Sequence, residues 1–170
     1  MRVRQKIQAV SRKAVVADTS AAGARIPGKR IQVVAGILRD SDGRVLLAER
    51  LNDSSFKGLW EFPGGKIDAP EAPESGLLRE LAEELGIVVT KFERLASVEH
   101  DYPDRLVHID FFLVTEWRGE IRPMDGQALR WLSPAQIIKD ELMPANAPLV
   151  DVLQSLANSP AWRAPTGRSP

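Results

Sequence analysis

The stretch GGKIDAPEAPESGLLRELAEELGI, residues 64–87, most constrains what this chain can fold into. It sets a glycine pair, an isolated carboxylate and a carboxylate-rich amphipathic segment close together. Pro73 suits the first position of a helix, where its missing N–H leaves nothing unpaired, and Gly86 suits the left-handed residue just past a helix end. The spacing therefore predicts a helix over 73–85. Within it Leu78, Leu81, Ala82 and Leu85 recur at i, i+3, i+4 and i+7, a stripe that a core would cover. Glu80, Glu83 and Glu84 then fall on the opposite face, where like charges repel by about 0.2–0.5 kcal/mol per i,i+4 pair. A divalent cation removes that repulsion. Oxygen donors without Cys or a nearby His indicate a hard ion, Mg²⁺ or Mn²⁺. An acidic pair on a helix is ordinarily a solvated face and nothing more, so the surrounding spacing has to decide.

Gly65, Glu71 and the run Arg79-Glu80-Leu81-Ala82-Glu83-Glu84-Leu85-Gly86-Ile87 occupy every fixed position of G-x5-E-x7-R-E-U-x-E-E-x-G-U, with U aliphatic. On these residues the chain resembles the Nudix hydrolases, which cleave nucleoside diphosphates linked to another group. The likeness runs over about residues 32–153. Within the family it leans toward the MutT-type 8-oxo-dGTP diphosphatases, through Glu61-Phe62-Pro63-Gly64-Gly65-Lys66-Ile67, the turn from Tyr102 to Arg105, Asp125-Gly126-Gln127 and Pro144-Ala145-Asn146. The resemblance implies Mg²⁺-dependent hydrolysis of a nucleoside triphosphate, 8-oxo-dGTP above all, to the monophosphate and pyrophosphate. Such an activity cleanses the nucleotide pool and serves DNA repair. It also implies an α/β fold of the α+β kind, a Nudix-type α/β/α sandwich around a mixed β-sheet.

Residue roles carry over on the matching positions. Gly64, through its carbonyl, with Glu80, Glu83 and Glu84 would hold Mg²⁺, Mn²⁺ being possible. Glu80 is the first choice of general base and Asp125 the second, or else a further metal ligand. Arg79 would pair with Glu71 and orient the carboxylates, against the plain alternative of a surface ion pair worth little by itself. Lys66 would meet phosphate charge. Arg50 and Arg105 match positions that contact nucleotide, and Ile31, Val33 and Ala35 would face the base from the first strand. Phe62 either lines the base pocket or packs in the core. Asn146 offers the donor and acceptor needed to read an oxidised guanine edge, or it caps the last helix. His100 and His108 receive no role. The same chemistry on CTP or dihydroneopterin triphosphate is the alternative reading, and a non-catalytic module for an oxidised base or a nucleic-acid end is a third.

The 170 residues suit one domain, with no apolar run near 18 residues and no apolar h-region of the kind that marks secretion. The absence of cysteine excludes disulfides and thiolate chemistry and agrees with a cytoplasmic location. Lys plus Arg balance Asp plus Glu at 23 each, yet residues 1–30 hold eight of the basic residues and only one acid, Asp18. The body is consequently acidic, which argues against a stable nucleic-acid complex. Residues 1–30 read as a flexible basic tail, 31–158 as the catalytic domain and 159–170 as a loose C-terminal tail. A monomer or weak dimer is expected.

Along the chain, 31–38 and 44–49 read as strands joined by the Asp42-Gly43 turn, 52–58 as a loop and 60–62 as a brief extended element. Residues 66–70 form a loop ahead of the helix, whose start lacks a side-chain cap because Ala72 stands at the N-cap position. Strands follow at 92–100, 106–117 and 128–132, then a short helix opened by Ser133-Pro134 and a final helix over 147–157.

Overall fold

The computed structural model describes residues 15–17, 29–51 and 56–163. Among these residues eight strands and two helices follow in order: β1 Val15–Ala17, β2 Lys29–Leu38, β3 Val45–Glu49, β4 Trp60–Glu61, β5 Gly64–Lys66, α1 Pro73–Leu85, β6 Val88–Tyr102, β7 Arg105–Arg118, β8 Leu129–Leu132 and α2 Pro148–Ala157. Short 3-10 turns occupy Pro134–Gln136, Lys139–Glu141, Pro144–Asn146 and Pro160–Arg163. A five-stranded sheet runs in the order β1-β6-β7-β2-β5, and a three-stranded sheet in the order β4-β3-β8. The larger sheet is mixed: β2 lies parallel to β7 and antiparallel to β5, while β6 and β7 form a long antiparallel hairpin.

Period-two alternation divides this sheet between two cores. From β7, Val107, Ile109, Phe111 and Leu113 enter one core, together with Ala35 and Ile37 of β2. α2 closes that side with Leu149, Val150, Leu153 and Leu156. Phe112 and Val114 point the other way with Val34 and Leu38, and α1 covers them with Leu77, Leu81 and Leu85. Helices thus lie on both faces of a mixed sheet, the expected sandwich. Gly36 lets the helix pack closely on β2, since a Cβ there would stand 2.8 Å from a Leu81 methyl. Each of the three leucines contributes about 1.5–3 kcal/mol on burial.

Four expectations need correction. The buried stripe of α1 is Leu77, Leu81 and Leu85; Leu78 is 38 % exposed and Ala82 is also exposed. Two adjacent leucines satisfy the helical period equally well, and the helix is rotated so that Glu80 and Glu84 flank its buried face. Residues 64–66 form β5 in place of a loop start, because β2 offers Val33–Ala35 as a ladder partner. In the expected N-terminal tail, Val15–Ala17 pair with Ser97–Glu99 and β2 already begins at Lys29; the remainder of 1–28 lies outside the described residues. In the expected C-terminal tail, Trp162 is only 6 % exposed and donates from Nε1 to the Gly43 carbonyl at 2.9 Å. The Arg39 guanidinium lies 5.3 Å from the centre of its ring and donates to its carbonyl. Residues 164–170 and 52–55 lie outside the described residues. Among those described, no helix is long and apolar enough to cross a membrane.

Candidate active site

Two glycines bring the box helix against the backbone that precedes it. Gly64 has φ 152°, and a Cβ on it would overlap the Val34 carbonyl. A Cβ on Gly65 would overlap the Glu80 carboxylate. Without side chains the turn lies close enough for the Gly64 N–H to donate to Glu84 Oε2 at 3.0 Å. Glu80 and Glu84, one helical turn apart, therefore both face this turn. Glu83 does not share their surroundings, its side chain being 61 % exposed. The expectation of three carboxylates on one outward face is corrected accordingly.

Arg79 organises the outer part of the cluster. Its Nε and Nη2 donate to the two Glu71 oxygens at 3.1 and 2.8 Å, a paired geometry that a guanidinium matches well. Nη1 reaches Glu80 at 2.8 Å and Glu83 at 3.3 Å, and Nη2 also meets the Lys66 carbonyl at 3.0 Å. Hydrogen bonds to Glu71 and Glu80 raise the guanidinium pKa further, and the same bond to Arg79 holds Glu71 below the usual carboxylate range. Arg79 is a crosslink between helix and preceding loop, more than an isolated surface pair. The Lys66 side chain itself is exposed.

Behind the turn lies a cleft lined by Glu49, Arg50, Glu61, Glu84, Asp125 and Gln127. Arg50 Nη1 donates to both Glu61 oxygens at 3.0 Å. Burial raises the pKa of Glu61 and of Glu80. Burial pushes Glu84 up to about 8, with Glu61, Glu80 and Asp125 adding to the rise and the Gly64 N–H opposing it. Acidic oxygens crowded into a partly dehydrated cleft with few cations suit a hard divalent ion. The donor set of Glu80, Glu83, Glu84 and the Gly64 carbonyl fits Mg²⁺ in chemistry. Among the described residues no three acidic or histidine side chains stand ready-gathered for a metal, since Glu80 and Glu83 are turned onto Arg79.

The residues expected to meet the base divide. Asn146 is 4 % exposed, and its Oδ1 accepts the Phe62 N–H at 3.0 Å across 84 residues. It caps no helix: the N-cap of α2 is Ala147, without a side-chain bond. Phe62 is 2 % exposed and packs edge-on against Phe111, so it belongs to the core. Ala35 is buried in the same core and Val33 packs partly against it, while Ile31 is half-buried farther along β2. Arg105 pairs with Asp104 at 2.7 Å and stacks 5.2 Å from the Tyr102 ring centre. Asp125 is exposed at the cleft rim, with its N–H bonded to Gln127 Oε1 at 3.0 Å. Glu61 and Gln127 received no role in the sequence reading, although both stand inside the stretches that carried the resemblance.

A family model for the NUDIX domain matches residues 29–153. An 8-oxo-dGTP diphosphatase of Haemophilus influenzae is 42 % identical over 122 residues, covering 72 % of this chain and 90 % of that protein. A CTP pyrophosphohydrolase of Escherichia coli is 40 % identical over 128 residues, covering 75 % and 94 %. Among solved structures, the E. coli ORF135 protein in solution matches with a TM-score of 0.69 and 38 % identity, over 82 % of this chain and 99 % of that one.

Proposed function

This chain belongs to the NUDIX domain family and is a hydrolase of that family, and from this premise we propose that it splits a nucleoside triphosphate into the monophosphate and pyrophosphate, with 8-oxo-dGTP preferred. Several relatives are named for that activity, including the one in H. influenzae. Mg²⁺, when bound, supplies charge stabilisation at the phosphate oxygens and acidifies a coordinated water. Glu84, Glu80 and the Gly64 carbonyl would hold it, with Glu83 joining from the exposed side. Glu80 takes the proton from the attacking water as first choice of base, and Asp125 is the alternative. Arg79, anchored by Glu71, fixes the direction of Glu80 and keeps the helix against the turn. Lys66 and Arg50 would meet phosphate charge.

The observation that carries the base preference is the Asn146 amide. Its Oδ1 accepts the Phe62 N–H with one of two lone pairs, and the second lone pair together with Nδ2 makes up the acceptor and donor that reading an oxidised guanine edge requires. A site that hydrogen-bonds a substrate edge discriminates strongly, because an analogue lacking the partner atom leaves a buried group unpaired. CTP is the second reading, favoured by the E. coli CTP pyrophosphohydrolase at comparable identity and coverage. The deciding experiment is pyrophosphate release with Mg²⁺ from a panel holding 8-oxo-dGTP, dGTP, CTP and dihydroneopterin triphosphate. A kcat/KM on 8-oxo-dGTP at least tenfold above the others is expected; a preference for CTP overturns the base assignment and leaves the reaction class standing.

A further inference from the structure

Gln127 is a buried amide on the wall of the cleft, and both ends of it are engaged. Its Oε1 accepts the Asp125 N–H at 3.0 Å, and its Nε2 donates to the Glu84 carbonyl at 3.1 Å. That carbonyl also accepts the Met124 N–H at 3.0 Å, and the Leu85 carbonyl next to it accepts the Arg122 N–H at 3.0 Å. A helix leaves its last carbonyls without internal partners. Here the segment after β7 supplies them, so the loop that carries Asp125 hangs on the residue whose carboxyl faces Gly64. Within the loop, the Gly126 N–H closes a turn onto the Pro123 carbonyl at 3.1 Å with φ 77° at Gly126, which leaves Asp125 at its tip.

We infer that Gln127 is a positioning residue: by bridging Asp125 to Glu84 it holds Asp125 at the cleft that Glu84 also lines. The inference rests on the diphosphatase reading above and adds to it a residue that touches neither metal nor phosphate. A merely structural amide has a different signature, since its loss lowers stability and leaves the chemistry of the folded molecules intact.

Full-length Gln127→Leu removes both bonds at similar volume, and Gln127→Glu keeps the acceptor for Asp125 while losing the donor to Glu84. Steady-state pyrophosphate release, a melting curve and Mn²⁺ binding by electron paramagnetic resonance are measured on each. Gln127→Leu is expected to lower kcat at least tenfold with KM within twofold, and to weaken Mn²⁺ binding several-fold. In an Asp125→Asn background the additional loss is expected to stay below twofold, because the two residues act as a unit. A kcat within twofold of wild type, or a loss undiminished in that background, overturns the inference. If Gln127→Leu does not fold, Gln127→Glu is judged by the same kcat and Mn²⁺ criteria. Should the wild type release no pyrophosphate from any triphosphate, the reaction assignment falls by itself. Mn²⁺ affinity then decides on Gln127, weaker binding in the variants supporting the bridge and equal binding overturning it.

Discussion

A carboxyl group pushed up to about 8 keeps its proton in neutral solution, so Glu84 of the metal-free protein is neutral where a cation would need it ionised. The folded value lies above the ordinary one of 4.5, and the folded state therefore binds the extra proton between the two. Stability of the metal-free protein is fully present below about pH 4.5 so far as this group is concerned, and falls as pH rises toward 8, by a few kcal/mol at most. Mg²⁺ should reverse that fall and do so most at the alkaline end. Melting curves from pH 5 to 8.5, with EDTA and with Mg²⁺, check this; a melting temperature indifferent to both would remove Glu84 from the metal set. Glu84→Gln should flatten the metal-free profile and lower kcat at least about a hundredfold. Asn146 is the second residue whose prediction the geometry sharpens. Asn146→Ala also deprives the buried Phe62 N–H of its acceptor, so a stability loss of about 1–3 kcal/mol is expected whatever the substrate. The discriminating quantity is therefore the ratio of kcat/KM on 8-oxo-dGTP to that on dGTP, which should fall roughly tenfold to hundredfold. Asn146→Asp, which keeps an acceptor for Phe62, should lose the ratio as well, and an unchanged ratio in both makes the amide purely structural. From the sequence, Asn146 by itself favoured a cap of α2, and the Pro144-Ala145-Asn146 resemblance turned it to a reader of the base. Only its distance in the chain from Phe62 hid the third role, that of holding the backbone ahead of the glycine turn.

At the scale of elements, the limits of α1 were legible because Pro73 and Gly86 act through local backbone geometry, which needs no knowledge of neighbours. Its rotation was not. Leu77 and Leu78 both obey the helical period, and the choice was made by the reach of Glu80 and Glu84 to the glycine turn. β5 was missed for a related reason: Gly64-Gly65 has little strand propensity, and only the free edge of β2 makes it a strand. The start of the long hairpin was missed, since register shifts between Val89 and Lys91, Lys91 and Phe92, and Arg94 and Ala96 interrupt the alternation of β6. The uncapped start of α1 is a testable consequence of sequence and structure agreeing. Ala72 has extended backbone and no side-chain bond, and Ala72→Thr should add about 1 kcal/mol by accepting an unpaired N–H of the first turn. For a chain of this size that raises the melting temperature by roughly 2–4 °C. No rise would mean that Glu74, by its charge in the first turn, has already satisfied much of that helix end.

For the whole molecule, the Nudix box announced the sandwich and the cluster of carboxylates, whereas the closure of the larger core by Trp162 had no local signal. A lone tryptophan among Pro, Arg and Gly reads as tail until its partners, Gly43 and Arg39, are known from the fold. Trp162→Ala should cost about 3–5 kcal/mol and leave kcat per folded molecule unchanged, since those partners do not line the cleft; a loss of kcat at full folding would tie this clasp to catalysis. The strand order has a consequence in time. β2 lies between β5 and β7, and β3 between β4 and β8, so each sheet begun in the first half of the chain is completed only by the second. The glycine turn and the box helix consequently have only β2 to settle against until residues near 118 have been synthesised, and the cleft lacks Asp125 and Gln127 until the 122–132 segment follows. Because non-local pairing is slow, a nascent chain stalled before β7 is expected to leave its box-helix amides open to deuterium. Protection of that helix in such a chain would show that it folds ahead of its sheet.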